Sequence, residues 1–294
     1  MNSATIPSSL QLSCPICDFS SVRLFRKDSY WIRGCEHCAH QFIEQQITTK
    51  DVSKIYDGQY FQGDGAGYID YFAEADLLQR LGQYYVNKLG FYIFPGRVLD
   101  VGAAAGFVLK EFLQSGWRGE GLEPNLRIAD FGQQQLGLKM TVGTLENHQS
   151  QERFDLVMML QVIQHFYNLK LALHAASKAT KPGGYWLIET WDRSSLLARL
   201  RGHHWHAYTP PSHSHWFSPA GLERLVAQFG FQEIARGSPS RWMNGQYRKS
   251  VLRYQVMDKA WGKPLAQGLN LLPDQVVTPY MGGDIFWGLY QKAV

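Results

Sequence analysis

With 294 residues, 45% of them hydrophobic, the chain suits one large domain or a domain with a small appendage, and it can bury an ordinary core. A formal net charge of +4 with no run of five or six Lys/Arg argues against a phosphate-tracking arm, and so against a nucleic-acid partner. No stretch of 18 apolar residues occurs, and the first residues lack a basic region followed by an apolar core; the expectation is a cytoplasmic protein without a membrane span.

All four cysteines lie in two pairs, C-P-I-C (Cys14, Cys17) and C-E-H-C (Cys35, Cys38), with 17 residues between the pairs. That spacing lets two tight knuckles point four thiolates at one tetrahedral ion, and it predicts a structural zinc site. A lobe this small has too little core to fold without such a staple. Two disulfides or four unrelated thiols are the alternative, which fits poorly with a chain that shows no secretion signal. Four thiolates close the coordination sphere and leave no position for water or substrate. His37 and His40 are possible substitute ligands and are read as surface residues.

Residues 56–68 read as a loop. From 71 to 89 apolar residues recur at helical spacing, with Leu77, Leu78, Leu81, Tyr85 and Leu89 on one side, which predicts a helix. From residue 94 the pattern changes to alternating strands and helices. Strands are predicted at G-R-V-L-D-V-G (96–102), G-E-G-L-E-P-N (119–125), L-K-M-T-V-G-T-L-E (138–146), R-F-D-L-V-M-M-L-Q-V (153–162) and Y-W-L-I-E-T-W-D (185–192). Helices are predicted between them at 105–116, 126–137 and 171–184, the last with a Pro-Gly-Gly stop. Strands separated by helices of this length need right-handed crossovers, so the expected fold is α/β: a doubly wound, mostly parallel sheet covered on both faces.

After a helix at 193–202 comes H-H-W-H-A-Y-T-P-P-S-H-S-H (203–215), which holds five of the ten histidines. It reads as a loop, because the next helix (218–230) opens with Ser218 as N-cap and proline in its first turn. A metal site, a catalytic base and ordinary surface or packing roles remain open for these histidines. No H-x3-H pair occurs, Pro210 and Pro211 separate the triplet His203, His204 and His206 from His213 and His215, and no carboxylate lies within the loop. Trp191, Trp205 and Trp216 can offer a flat apolar wall to a ligand. Residues 231–237 and 284–293 alternate as an antiparallel edge pair, which brings the sheet to seven strands. A helix is expected at 247–262, and the apolar segment 265–273 is expected at a subunit contact or over the sheet.

Ligands of doubly wound sheets bind at the carboxyl ends of the strands. The first strand ends in D-V-G-A-A-A-G, with Asp100, Gly102 and Gly106, which is not the G-x-G-x-x-G that seats a pyrophosphate. An acid two residues before the first glycine suits a cationic ligand. Glu123, at the end of the next strand, is placed to accept hydrogen bonds from ribose hydroxyls.

L-D-V-G-A-A-A-G, G-L-E-P-N, F-D-L-V-M-M-L-Q-V-I-Q-H-F and K-P-G-G-Y-W-L-I-E-T, in this order and spacing, resemble the class I S-adenosylmethionine-dependent methyltransferases over about residues 60–294. The cysteine-rich start, Y-D-G-Q-Y-F and H-S-H-W-F-S-P-A-G-L-E-R-L-V-A-Q-F-G-F resemble a bacterial subgroup with a zinc-ribbon lobe that acts on small molecules, sugars and secondary metabolites. The resemblance implies a Rossmann-like methyltransferase sheet and S-adenosylmethionine as cofactor. It places Asp100, Gly102, Ala104 and Gly106 around the methionine part, Glu123 at the ribose, Leu145 near the adenine, Leu160 in the pocket wall and Tyr68 among the cofactor residues. It also implies a small-molecule acceptor methylated on O, N or C. The subgroup usually shows Cys or Gly at 103 or 104 and Glu at 164, where this chain has Ala103, Ala104 and Gln164. Methyl transfer from a sulfonium is chiefly alignment, with a base needed only for a nucleophile that keeps its proton. The candidate bases are His165, just beyond the fourth strand, and His213, which resembles the subgroup's histidine before the pair Phe217 and Ser218; imidazoles titrate near neutral pH.

The expected organisation is a zinc lobe at 1–48, a linker and capping helix at 49–90, and a methyltransferase domain at 91–294 with an acceptor-facing loop at 191–218. Two alternatives remain: an RNA methyltransferase that grips its substrate with the zinc lobe, for which Arg23, Arg26, Lys27 and Arg33 are a modest supply, and a noncatalytic cofactor-binding module. The acceptor and the oligomeric state stay open.

Overall fold

Near the amino terminus two short strands and a hairpin return bring the four cysteines together. In the computed structural model, which describes residues 12–48, 51, 71–149, 153–243, 245, 249, 268 and 276–294, β1 (Ser21–Lys27), β2 (Tyr30–Cys35) and β3 (Gln41–Ile43) form an antiparallel meander. The chain then runs through α1 (Ala75–Leu89), β4 (Arg97–Val101), α2 (Phe107–Gln114), β5 (Arg118–Glu123), α3 (Leu126–Leu136) and β6 (Met140–Val142). It continues with β7 (Phe154–Leu160), α4 (Leu169–Ala179), β8 (Thr180–Trp191), α5 (Leu196–Arg201), β9 (His215–Trp216) and α6 (Pro219–Ala227). It closes with β10 (Phe231–Gly237), the short pair β11 (Trp242–Met243) and β12 (Thr278–Pro279), and β13 (Ile285–Lys292).

The chain divides into two compact units, one of residues 1–55, 144–237 and 284–294 and the other of 56–143 and 238–283. A mixed seven-stranded sheet draws β10-β13-β8-β7, in that order, from the first unit and β4-β5-β6 from the second. The pairs β4/β5, β5/β6 and β7/β8 are parallel, whereas β13 runs antiparallel to both β8 and β10. The doubly wound α/β arrangement and its antiparallel closing pair are therefore as the alternation of elements predicts.

In the second unit, Leu81, Tyr85 and Leu89 form the buried face of α1, as their spacing requires. Gly82 on that face lets α1 lie close to α2, since a Cβ there would fall 2.9 Å from Glu111 Cβ. Tyr71, Ala105, Phe107 and Ile128 make a small buried cluster under the loop after β4. In the first unit, β7 is apolar except at Asp155 and β8 is apolar through its middle, and Leu156–Met159 and Trp186–Ile188 are fully buried.

Three elements differ from expectation. The third predicted strand shrinks to Met140–Val142, because it lies at the sheet edge with Thr141 and Val142 exposed, and Gly143 turns the chain into a short helical turn at Leu145–Asn147. The helix expected to reach 184 stops at Ala179: Pro182 disfavours helical backbone before it, and residues 180–184 instead open β8 with a register shift. The histidine stretch is more than a loop. It holds a helical turn at Gly202–His204 and the strand β9, which pairs antiparallel with β3 and extends the amino-terminal meander to four strands. The helix expected at 247–262, the segment 265–273 and the loop 56–68, with Tyr68, lie almost wholly outside the described residues. Among the described residues no helix is long and apolar enough to cross a membrane.

Candidate active site and metal centre

Two knuckles gather the four cysteine sulfurs, which lie within 4.8 Å of one another. Cys14 Sγ is 3.5 Å from Cys38 Sγ and Cys17 Sγ is 3.4 Å from Cys35 Sγ, and no pair is bonded as a disulfide. A tetrahedron with zinc–sulfur bonds of about 2.3 Å has edges of about 3.8 Å, so the set fits one zinc ion. Backbone N–H groups of Ile16 and His37 point at Cys14 Sγ and Cys35 Sγ at 3.4 Å, which favours thiolate over thiol. Among the described residues no other group of three or more His, Cys, Asp or Glu side chains is placed to hold a metal ion.

In the second unit, β4 delivers Asp100 to its buried carboxyl end, and the following loop passes through left-handed backbone at Gly102 (φ 67°), Ala104 (φ 47°) and Gly106 (φ 85°). Gly106 suits glycine best, because its left-handed backbone strains any side chain and a Cβ there would press on Leu138 Cδ1. Ala104 accepts the same strained region that glycine usually fills, and its small side chain keeps the loop open. Glu123, at the end of β5, binds this loop directly: Oε2 accepts from Ala104 N at 2.9 Å and Oε1 from Asn125 N at 2.8 Å. Tyr71, which sequence reasoning did not single out, accepts a hydrogen bond from Ala105 N through its hydroxyl. Its one sequence signal is its place at the start of the helical pattern read over 71–89.

Asp100 and Glu123 are 3% exposed each, and burial is the main reason their carboxyls rise to about 8 and about 7; for Asp100 the negative charge of Glu123 adds to it. Two neighbouring carboxyls whose burial disfavours their ionised forms suit a ligand that brings a cation and hydroxyl donors.

In the first unit the carboxyl ends of β7 and β8 are joined by a polar chain that sequence reasoning also missed. Gln161, in left-handed backbone (φ 56°), donates its backbone N–H to Glu189 O at 2.8 Å and its amide to Glu189 Oε1 at 3.0 Å. Gln164 donates to Gln161 Oε1 at 2.8 Å, accepts from Thr190 Oγ1 at 2.9 Å, and through its backbone carbonyl accepts from Ser214 N at 2.8 Å. A glutamate at 164 has no N–H to make the first bond. Leu145 is buried in the helical turn after β6, and Leu160 is half-buried at the end of β7.

His165 and His213 come together, with ring centroids 4.8 Å apart and planes at 66°. His165 Nδ1 donates to Ser212 O at 2.7 Å and His213 Nδ1 to Ala207 O at 2.8 Å, which fixes the Nδ1–H tautomer of both neutral rings. Burial lowers their pKa values to about 4 and about 3, so they do not titrate near neutral pH as isolated imidazoles do. The other histidines of the stretch separate. His203 and His204 are exposed, His206 Nε2 lies 3.6 Å from the buried Asp284, and His215 is buried against His40. His40 is thus no surface residue; it is 2% exposed. Of the basic residues on the lobe, Arg33 is buried against Ser21 and Glu44, and Arg23 pairs with Glu44 and covers Trp31.

The methyltransferase-domain family model matches residues 70–235, more than half of the chain. The chain belongs to this methyltransferase family. A ubiquinone biosynthesis O-methyltransferase from Azorhizobium caulinodans is 27% identical over 148 residues, which is 46% of this chain and 58% of that protein. The chain spans about half the length of the curated relatives it matches. Among solved methyltransferase structures, the magnesium protoporphyrin IX methyltransferase of Synechocystis PCC 6803 with bound SAH has 12% identity and a TM-score of 0.55, over 84% of this chain and all of that one. The 1,6-didemethyltoxoflavin N1-methyltransferase of Burkholderia thailandensis has 13% identity and a TM-score of 0.54, over 92% of this chain and 99% of that one. At these identities the two structures share the fold.

Proposed function

We propose that the chain transfers a methyl group from S-adenosylmethionine to a small-molecule acceptor, with oxygen as the favoured acceptor atom. The observation that carries this reading is the buried pair Asp100 and Glu123 at adjoining strand ends, with Glu123 bonded to the left-handed loop at Ala104. Asp100 would hold the cationic amino-acid end of the cofactor, Glu123 the ribose hydroxyls, and Gly102, Ala104 and Gly106 would let the loop backbone come close. The bound cofactor supplies an electrophilic methyl group on a sulfonium.

The protein's part is then to hold, orient and dry. His213, neutral at working pH with its Nδ1–H given to Ala207, is suited to accept a hydrogen bond from an acceptor hydroxyl, and His165 packs edge-on against its ring. A base this weak orients the hydroxyl and takes its proton only as the carbon–oxygen bond forms. An oxygen acceptor is favoured by the curated relatives, which are ubiquinone biosynthesis O-methyltransferases. A sugar or specialised metabolite is the finer acceptor class that the cysteine-rich lobe suggests. Two of the four basic side chains of that lobe, Arg23 and Arg33, are paired with Glu44, which does not favour RNA. Incubation with S-adenosylmethionine and a panel of phenols, catechols, sugars and amines, read as S-adenosylhomocysteine formed, tests the reading. Product with hydroxyl acceptors supports it; cofactor binding without product from any acceptor class would make the chain a binding module.

A further inference from the structure

The four-cysteine lobe and the histidine stretch share one sheet and one core. In the ladder between β3 and β9, Gln41 faces Trp216 and Phe42 faces His215, and Ile43 N donates to Ser214 O at 3.1 Å. Ile32 and Ile43 from the lobe are buried in one cluster with Trp205, Ala207, Tyr208 and Trp216 from the stretch. The hydroxyl of Tyr208 donates to Gln41.

A polar path runs alongside. Cys35 N donates to His40 O at 2.8 Å, so the second knuckle fixes the backbone of His40. The His40 ring reaches across to His215, Nε2 to Nδ1 at 3.2 Å, with both side chains buried; one ring donates and the other accepts. His40 Nδ1 has no hydrogen-bond partner among the described residues, so the bond to His215 is the polar contact that sets the plane of the ring. Beyond His215, Ser214 N donates to Gln164 O and His165 Nδ1 donates to Ser212 O, which hold the same stretch to the turn after β7.

We propose that His40 and His215 are positioning residues through which the four-cysteine centre holds residues 203–217, and with them His213, in place, so that metal occupancy governs the acceptor side of the site and leaves cofactor binding alone. The proposal rests on the methyltransferase reading above. Nothing in this path involves Asp100, Glu123 or the loop between them. The lobe accordingly acts as a fixed wall for the acceptor and not as a separate grip on a large substrate.

Hydrogen exchange read by mass spectrometry on the full zinc-loaded chain tests it, with cofactor affinity measured by calorimetry on the same samples. In His40→Ala, with zinc content unchanged, peptides spanning 203–217 should exchange about tenfold faster. His40→Gln, which can still bond to His215, should restore most of the protection. Removing zinc with a chelator should accelerate the same peptides and those of 12–43, while peptides spanning 97–123 and the S-adenosylmethionine affinity stay within about twofold of the parent. Exchange in 203–217 that is unchanged in His40→Ala, or that is lost equally in His40→Gln, overturns the proposal. Failure of the zinc-loaded parent to bind S-adenosylmethionine overturns instead the reading on which it rests, and leaves the exchange result standing.

Discussion

Gln164 is legible in the sequence as a departure from the subgroup's glutamate, and its partners in the structure show what the amide does there. The amide takes the place of an acid, and the structure makes it a donor to Gln161 and an acceptor from Thr190. Gln164→Glu should therefore destabilise the fold by about 1–3 kcal/mol, because a carboxylate would face Gln161 Oε1 with no N–H to give. Urea unfolding measures this, and equal stability would contradict the network. The histidines carry a second residue-scale prediction. His213 has a folded pKa of about 3, well below its unfolded value, so the unfolded chain takes up a proton first as pH falls. The stability it contributes is complete above about pH 6.5 and is lost downwards from there. At pH 5 the parent should have lost about 1–2 kcal/mol relative to its pH 7 value that the non-titrating His213→Gln does not lose. Parallel pH–stability curves for the two would show that the ring is not buried as a neutral group. The positions of Asp100 and Glu123 at strand ends were readable because strand and turn signals locate them. The burial that shifts the histidines was not readable, since it depends on contacts distant in sequence.

At the scale of elements, helices with periodic apolar faces form within their expected spans: α1 buries Leu81, Tyr85 and Leu89, and α6 follows the N-cap Ser218, whose hydroxyl accepts from Gly221 N at 3.2 Å. The close contact of α1 with α2 gives a test, since Gly82→Val would press a side chain against Glu111 and Val108 O. Thermal unfolding should show a loss of about 1–3 kcal/mol. No loss would mean that the two helices are farther apart. Elements set by tertiary pairing were harder to foresee. The strand β9 is two residues long and surrounded by histidines and prolines, and only the exposed edge of β3 makes it a strand. Likewise the early start of β8 reflects pairing of Thr180 with Phe154 winning over continuation of α4 through a proline.

On the scale of the whole molecule, Asp100, Gly102, Ala104, Gly106 and Glu123, the residues proposed to hold the cofactor, belong to the unit of residues 56–143 and 238–283, whereas the four cysteines, His165 and His213 belong to the other. The assignment of Asp100 and Glu123 to S-adenosylmethionine joins fold to activity, and it predicts a linked proton effect. Both carboxyls have folded pKa values raised to about 8 and about 7, and a cationic ligand with hydroxyl donors favours their ionised forms. Binding near neutral pH must then release protons, and affinity must rise from pH 6 to pH 8. Isothermal calorimetry of the zinc-loaded chain with S-adenosylmethionine, in two buffers of different ionisation enthalpy, measures affinity and proton release together. The predicted result is binding with net proton release that shrinks in Asp100→Asn and Glu123→Gln, with affinity weakened about 10- to 100-fold in each. Binding of equal strength in the parent and both variants, or binding with no proton release, would contradict it.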